Sequence, residues 1–185
     1  MDEEFPLIKQ AIQDAFEYML LTYPEATEWE LGPTFEEYYF DYDPKQDIYL
    51  RPGGNGKLVA ERLERFLARK FLPRMYTYTG NSQSIDFTHK EDPTKNFDLK
   101  LGKIINKRGD FRLMLNGTVK TNHTMRADGY IWLVVPILNY ETLTLVDIHC
   151  LKLTADMIPD RSGNVNGVTL KVIKKGDIYE VSSKS

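Results

Sequence analysis

Apolar residues recur at helical spacing near the start of the chain. From Glu4 to Leu21, the residues Ile8, Ala11, Ile12, Ala15, Phe16, Met19 and Leu20 form one stripe. Pro6 sits in the first turn, where a missing N–H costs least. A second helical stripe, Val59, Leu63, Phe66, Leu67 and Phe71, predicts a helix over Lys57 to Phe71, stopped by Pro73. The period then changes to that of strands. Strands are expected at about 76–79, 83–88, 96–105, 111–115, 129–138 and 142–151. A short helix near Ala155 follows. A hairpin closes the chain, with Thr169 to Ile173, a Lys-Lys-Gly turn, and Asp177 to Val181. Residues 22–46 are rich in acids, Tyr and Pro and read as irregular, with room for a short helix. This order predicts an α/β fold.

With 185 residues, 42% of them apolar, one compact domain is expected. The net charge of −3 hides an asymmetry. Residues 1–50 hold 13 acids against two bases, while the remainder carries a balance of +8. The basic part suits a phosphate-backbone ligand. The acidic part, residues 1–46, is free for other work, and residues 47–185 form the core. Cys150 is the single cysteine, a buried strand thiol by pattern, so no disulfide can form within the chain. The ten apolar-rich residues from Gly129 to Leu138 suit a core strand and fall short of a membrane span. The acidic N-terminus lacks the positive region of a secretory signal. A cytoplasmic protein without membrane contact is the expectation.

One pair of acids carries the chemistry. Asp86 is followed after a polar gap by Asp98-Leu99-Lys100. Around the second acid, Phe97, Leu99 and Leu101 alternate with Asp98, Lys100 and Gly102. Asp98 and Lys100 therefore share the strand face away from that apolar stripe. Two carboxylates and an ammonium brought together suit metal-dependent phosphodiester cleavage, in which hard oxygen ligands hold Mg²⁺ and a lysine serves the attacking water. The plainer reading is a surface strand with solvated charges, since a chain with 28% charged residues contains D-x-K by chance. Glu64 flanks the apolar face of the second helix; it is either a third, outer carboxylate or, the better-favoured reading, a salt-bridged surface position. Glu61 points elsewhere.

Gly53-Gly54-Asn55-Gly56-Lys57 lacks the spacing and following Ser or Thr of a phosphate-binding P-loop, which argues against a nucleotide cofactor. It is a flexible lead-in to the helix or a backbone loop able to approach DNA closely. The three histidines have no zinc-site spacing. His89 is expected in a solvated loop and His149 on a partly buried strand. His123 lies in a polar stretch, where a surface role is the commoner one.

Asp86 and Asp98-Leu99-Lys100 have the form of the PD-(D/E)xK nuclease signature. Asp47-Ile48-Tyr49, Gly54 to Leu58, Leu72-Pro73, Gly80-Asn81, Arg126 to Trp132 and Asn166 to Tyr179 stand in the same order around it. Together, over roughly residues 47–180, they resemble the PvuII-like type II restriction endonucleases. That resemblance implies a restriction-endonuclease-like fold, with a central mixed β-sheet flanked by helices. It implies a Mg²⁺-dependent homodimer cutting double-stranded DNA at a short palindrome. Asp86 and Asp98 would be the metal carboxylates and Lys100 the catalytic lysine. Asn55 would contact the minor groove, and His123, Asn164 and Asn166 would read bases. In the family N-terminal helices build the dimer, which would place Ile8, Ile12, Phe16 and Met19 at or near the interface.

The chain departs from the family in four places. Asp98 stands where the family has Glu, and Gly53 where it has an acid. Leu101 to Lys120 is enlarged, and the first 46 residues run longer. A repair, phage or toxin nuclease, and a DNA-binding protein that does not cut, are the alternatives.

Overall fold

The computed structural model describes residues 1–22, 63–64, 66–79, 85–116, 129–139, 142, 144–157 and 167–182. It shows an α/β arrangement with a large mixed sheet.

Helix α1 spans Phe5–Thr22. The apolar stripe read from the sequence is its buried face, with Ile8, Ile12, Ala15 and Met19 at 0% exposure and Phe16 at 3%. This corrects one expectation. Ile8, Ile12, Phe16 and Met19 do not present a dimer interface, because the chain's own core consumes them. They pack with Leu63, Phe66, Leu67, Tyr76, Phe87, Phe97, Leu99, Val134 and Leu138. Each such side chain contributes about 1.5–3 kcal/mol by leaving water, which a monomer retains. Among its described side chains, α1 leaves Leu7 and Leu21 exposed.

The second helix is described only at its end. Leu63, Glu64 and Phe66 are helical and run into a π-helical turn, Leu67–Phe71. The Leu72 N–H reaches back to the Leu67 carbonyl, and Pro73 follows. Tyr18 of α1 packs its ring on Phe66 and Phe71, and Lys70 Nζ donates to its hydroxyl at 2.8 Å.

Among the described residues, nine strands follow: β1 (Tyr76–Tyr78), β2 (Phe87–His89), β3 (Phe97–Leu99), β4 (Gly102–Ile104), β5 (Phe111–Asn116), β6 (Tyr130–Asn139), β7 (Thr144–Thr154), β8 (Gly167–Lys175) and β9 (Ile178–Val181). β3 and β4 both run parallel to β6 in one register, Phe97 beside Trp132 and Gly102 beside Ile137. They are two halves of the strand expected over 96–105. β6 holds one edge of this strand and β7 holds the far edge of β6. β2 and β5 therefore divide the strand's other edge, β2 beside β3 and β5 beside β4.

The interruption has a cause. The Lys100 N–H donates to the Val134 carbonyl at 3.1 Å. A parallel ladder would return a bond to the Lys100 carbonyl from the N–H of residue 136. That residue is Pro136, which has no N–H. The ladder breaks at Lys100 and Leu101, where the strand changes its partner from β2 to β5.

Alternate residues on the sheet serve two cores. Phe97, Leu99, Val134 and Leu138 face α1. Phe111, Leu113, Leu133, Val135, Ile137, Leu151, Leu170 and Val172 fill the other side. There the β8–β9 hairpin, turned at Gly176 with φ +63°, curls back across the sheet. The Tyr179 hydroxyl donates to Asp147 on β7 at 2.8 Å, and its ring lies 4.5 Å from that of His149. Gly102 permits the curl, because a Cβ there would stand 2.7 Å from Phe111 Cδ2 and 3.0 Å from Val135 Cγ1.

His89 departs from the sequence reading. It is buried on β2, and its Nδ1 accepts from the N–H groups of Asp92 (2.9 Å) and Glu91 (3.2 Å). The polar Thr-His-Lys-Glu-Asp context hides a histidine that closes the β2–β3 turn. His149 is half-buried on β7, as expected. Cys150 is a half-buried strand residue whose thiol burial pushes up to about 12. Among the described residues, no helix is long and apolar enough to cross a membrane.

Candidate active site

The two acids of the sequence pattern meet where the strand breaks. Asp98 is the middle residue of β3, and its side chain is 7% exposed. Asp86 immediately precedes β2. Each carboxylate is fixed by the other's strand: the Asp86 N–H donates to Asp98 Oδ1 at 2.8 Å, and the Leu99 N–H donates to Asp86 Oδ2 at 2.9 Å. One oxygen of each acid is thus spent on position, and the second lies outside these backbone bonds.

Thr79 anchors the Asp86 turn from β1. Its N–H donates to the Asp86 carbonyl at 2.7 Å and its hydroxyl to the Ile85 carbonyl at 2.9 Å. Glu64 reaches the same place from the second helix and hydrogen-bonds the Asp86 side chain. The Tyr78 hydroxyl donates to Glu64 Oε2 at 3.4 Å. Glu64 is half-buried and stands beside the acids, where the sequence reading allowed a third, outer carboxylate. Tyr78 and Thr79 were not legible as site residues, since their roles depend on which strands pair.

The electrostatics follow from burial of like charges. Burial, then the neighbouring Asp86 charge, pushes the Asp98 carboxyl up to about 7, against the pull of Lys100 and the Asp86 N–H. Asp86 is also raised, chiefly by burial, and is held back by the Leu99 N–H, Lys100 and Glu64. Lys100 thus acts on both acids from the strand break. The sequence placed Asp86, Asp98 and Lys100 together, and the structure brings them together. Asn55, His123, Asn164 and Asn166 lie outside the described residues.

Among the described residues, no group of three or more His, Cys, Asp or Glu side chains is arranged to hold a metal ion alone. Mg²⁺ does not need such a cage. It keeps several waters and takes one or two carboxylates together with substrate phosphates. Asp86 and Asp98 fit that demand: they are hard oxygen donors, rigidly held, and their mutual repulsion is of the kind a bound cation relieves. No protein-family model, curated protein or solved structure matches the chain.

Proposed function

We propose that the protein is a Mg²⁺-dependent endonuclease that hydrolyses phosphodiester bonds in double-stranded DNA at a short specific site, as the PvuII-like restriction enzymes do. The observation that carries this reading is the interlock of Asp86 and Asp98 beside Lys100. A structural ion pair has no use for two buried acids held against each other, one of which raises the proton affinity of its neighbour.

Asp86 and Asp98 would hold the ion through the oxygens not spent on backbone N–H groups, with Glu64, in contact with Asp86, as an outer carboxylate. Bound there, Mg²⁺ supplies charge neutralisation at the phosphate and acidifies a coordinated water. Lys100 sits on the same strand face as Asp98. Its ammonium donates to the phosphate oxygens that gain charge and to the attacking water. The Leu99 and Asp86 N–H groups keep both carboxylates aimed while the substrate enters. The ladder break keeps the backbone at Lys100 from being closed over by a continuous strand.

Cutting both strands of a palindrome takes two such sites, so the working form is a homodimer. Its interface lies outside the buried stripe of α1. The test is digestion of phage DNA with Mg²⁺. Discrete bands are expected. A smear would indicate a nuclease without site specificity, and intact DNA would reject cleavage altogether.

A further inference from the structure

We propose that the outward face of β4, β5 and β8 binds the phosphate backbone of duplex DNA through Arg112 and Lys171, on the side of the sheet away from the carboxylates. The proposal rests on reading DNA as the ligand, but not on cleavage.

Pairing across the sheet sets Lys103 beside Arg112 and Arg112 beside Lys171. Directly opposed residues point the same way, so three cations stand in one row across three adjacent strands. Arg112 lies between Phe111 and Leu113, both buried in the second core, which turns it outward. Along the first strand Asp98, Lys100 and Gly102 share one face, and Leu99, Leu101 and Lys103 share the other. The row and the acids therefore occupy opposite faces, and one duplex seated at Lys100 cannot also lie on the row.

Like charges directly opposite one another destabilise a sheet. Two other cations on this half of the fold do have acid partners: Arg108 pairs with Asp110, and Lys175 with Glu180. No acid pairs with Arg112 or Lys171 among the described residues. The row on one side holds Met114, 71% exposed, and Thr169, neither of them charged; the row on the other side holds Ile173 and Glu180, whose carboxylate is paired with Lys175. Strands about 4.8 Å apart give the row a span of about 10 Å. A DNA strand carries one phosphate per about 3.4 Å of helix axis, so Arg112 and Lys171, on adjacent strands, match about two neighbouring phosphates. A polyanion with regular charge relieves the repulsion along its whole length.

The test measures binding of the full chain to a labelled random-sequence duplex by fluorescence anisotropy over a range of salt. No divalent cation is present, so the carboxylates repel phosphate at the cleavage site. For Arg112→Ala/Lys171→Ala, the slope of log affinity against log salt should fall by about 2, at about 0.9 per phosphate contact. Affinity should drop tenfold or more, with the Mg²⁺-dependent cleavage rate at saturating DNA unchanged. Arg112→Gln/Lys171→Gln provides the same test should the alanine pair melt early, and Lys171→Arg should bind as wild type. An unchanged slope and affinity in both double variants would overturn the proposal. If wild type cuts nothing but the slope still falls, the cleavage reading fails and this one stands.

Discussion

The Asp86 N–H donates to Asp98 Oδ1 at 2.8 Å, while the Leu99 N–H next to Asp98 donates to Asp86 Oδ2 at 2.9 Å. This reciprocal bond joins the start of β2 to the middle of β3 and forces two buried carboxylates together. Asp98→Asn keeps an oxygen to accept the Asp86 N–H and removes the repulsion. Without divalent ions, the variant should be more stable than wild type above neutral pH by on the order of 1 kcal/mol or more, since each unit of raised pKa corresponds to about 1.4 kcal/mol. Urea denaturation compares the two; a less stable variant would mean that the repulsion is not the dominant effect.

The same pair sets a pH dependence. Asp98 titrates at about 7 in the folded protein against an ordinary 3.8. Between those values the folded state holds the extra proton. The stability contributed by Asp98 is therefore present below about pH 4 and lost as pH rises through 7. Melting temperature in chelator should show this loss, read as the difference between wild type and Asp98→Asn. Ca²⁺ should reverse it above pH 7. Parallel pH curves for the two proteins would contradict it.

Gly102 should not tolerate a side chain. The Cβ of Gly102→Ala would stand 2.7 Å from the Phe111 ring and 3.0 Å from Val135, both packed in the second core. Overpacking of this kind costs about 1–3 kcal/mol. Thermal melts should show the loss, and Gly102→Ala combined with Phe111→Leu should recover part of it.

Asp110 holds the curl from another side. Its buried carboxylate accepts from the Lys174 N–H at 2.8 Å, Asn106 Nδ2 at 2.9 Å and Arg108 Nε at 3.1 Å, and these donors keep it well below the usual carboxylate range, with the Arg108 bonds first. The contribution is present above the ordinary carboxylate pKa and lost only in stronger acid. Asp110→Ala should melt several degrees earlier than Arg108→Ala at pH 7, because it strands three donors instead of one exposed cation. Equal melting would reject that role.

Much of the fold could be read from the chain because single-element periodicity encodes it. The α1 stripe, the 97–104 alternation and the terminal hairpin all lie within a few residues of the observed elements. What escaped depends on pairing between distant segments. Nothing near Lys100 announces the strand break, because its cause is Pro136, in register with Leu101. His89 looked solvated because its neighbours are polar, yet the turn that follows folds over it. The place of Glu64 stayed open because a helix face cannot say which strand end it will meet. Asp86 and Asp98 were legible because their residue types carry chemistry whatever the path between them.

The most direct test measures Mg²⁺-dependent DNA cleavage alongside Ca²⁺-supported DNA binding for Asp86→Asn, Asp98→Asn and Lys100→Ala. Losing one preorganised charged group at such a site costs on the order of a hundredfold or more in rate. Each variant should therefore cut at least that much more slowly. Binding should survive the Lys100 change and, in the absence of metal, tighten for Asp98→Asn, where a carboxylate no longer repels phosphate. Wild-type cleavage by any of the three would contradict the placement of the active site at the Asp86–Asp98 interlock.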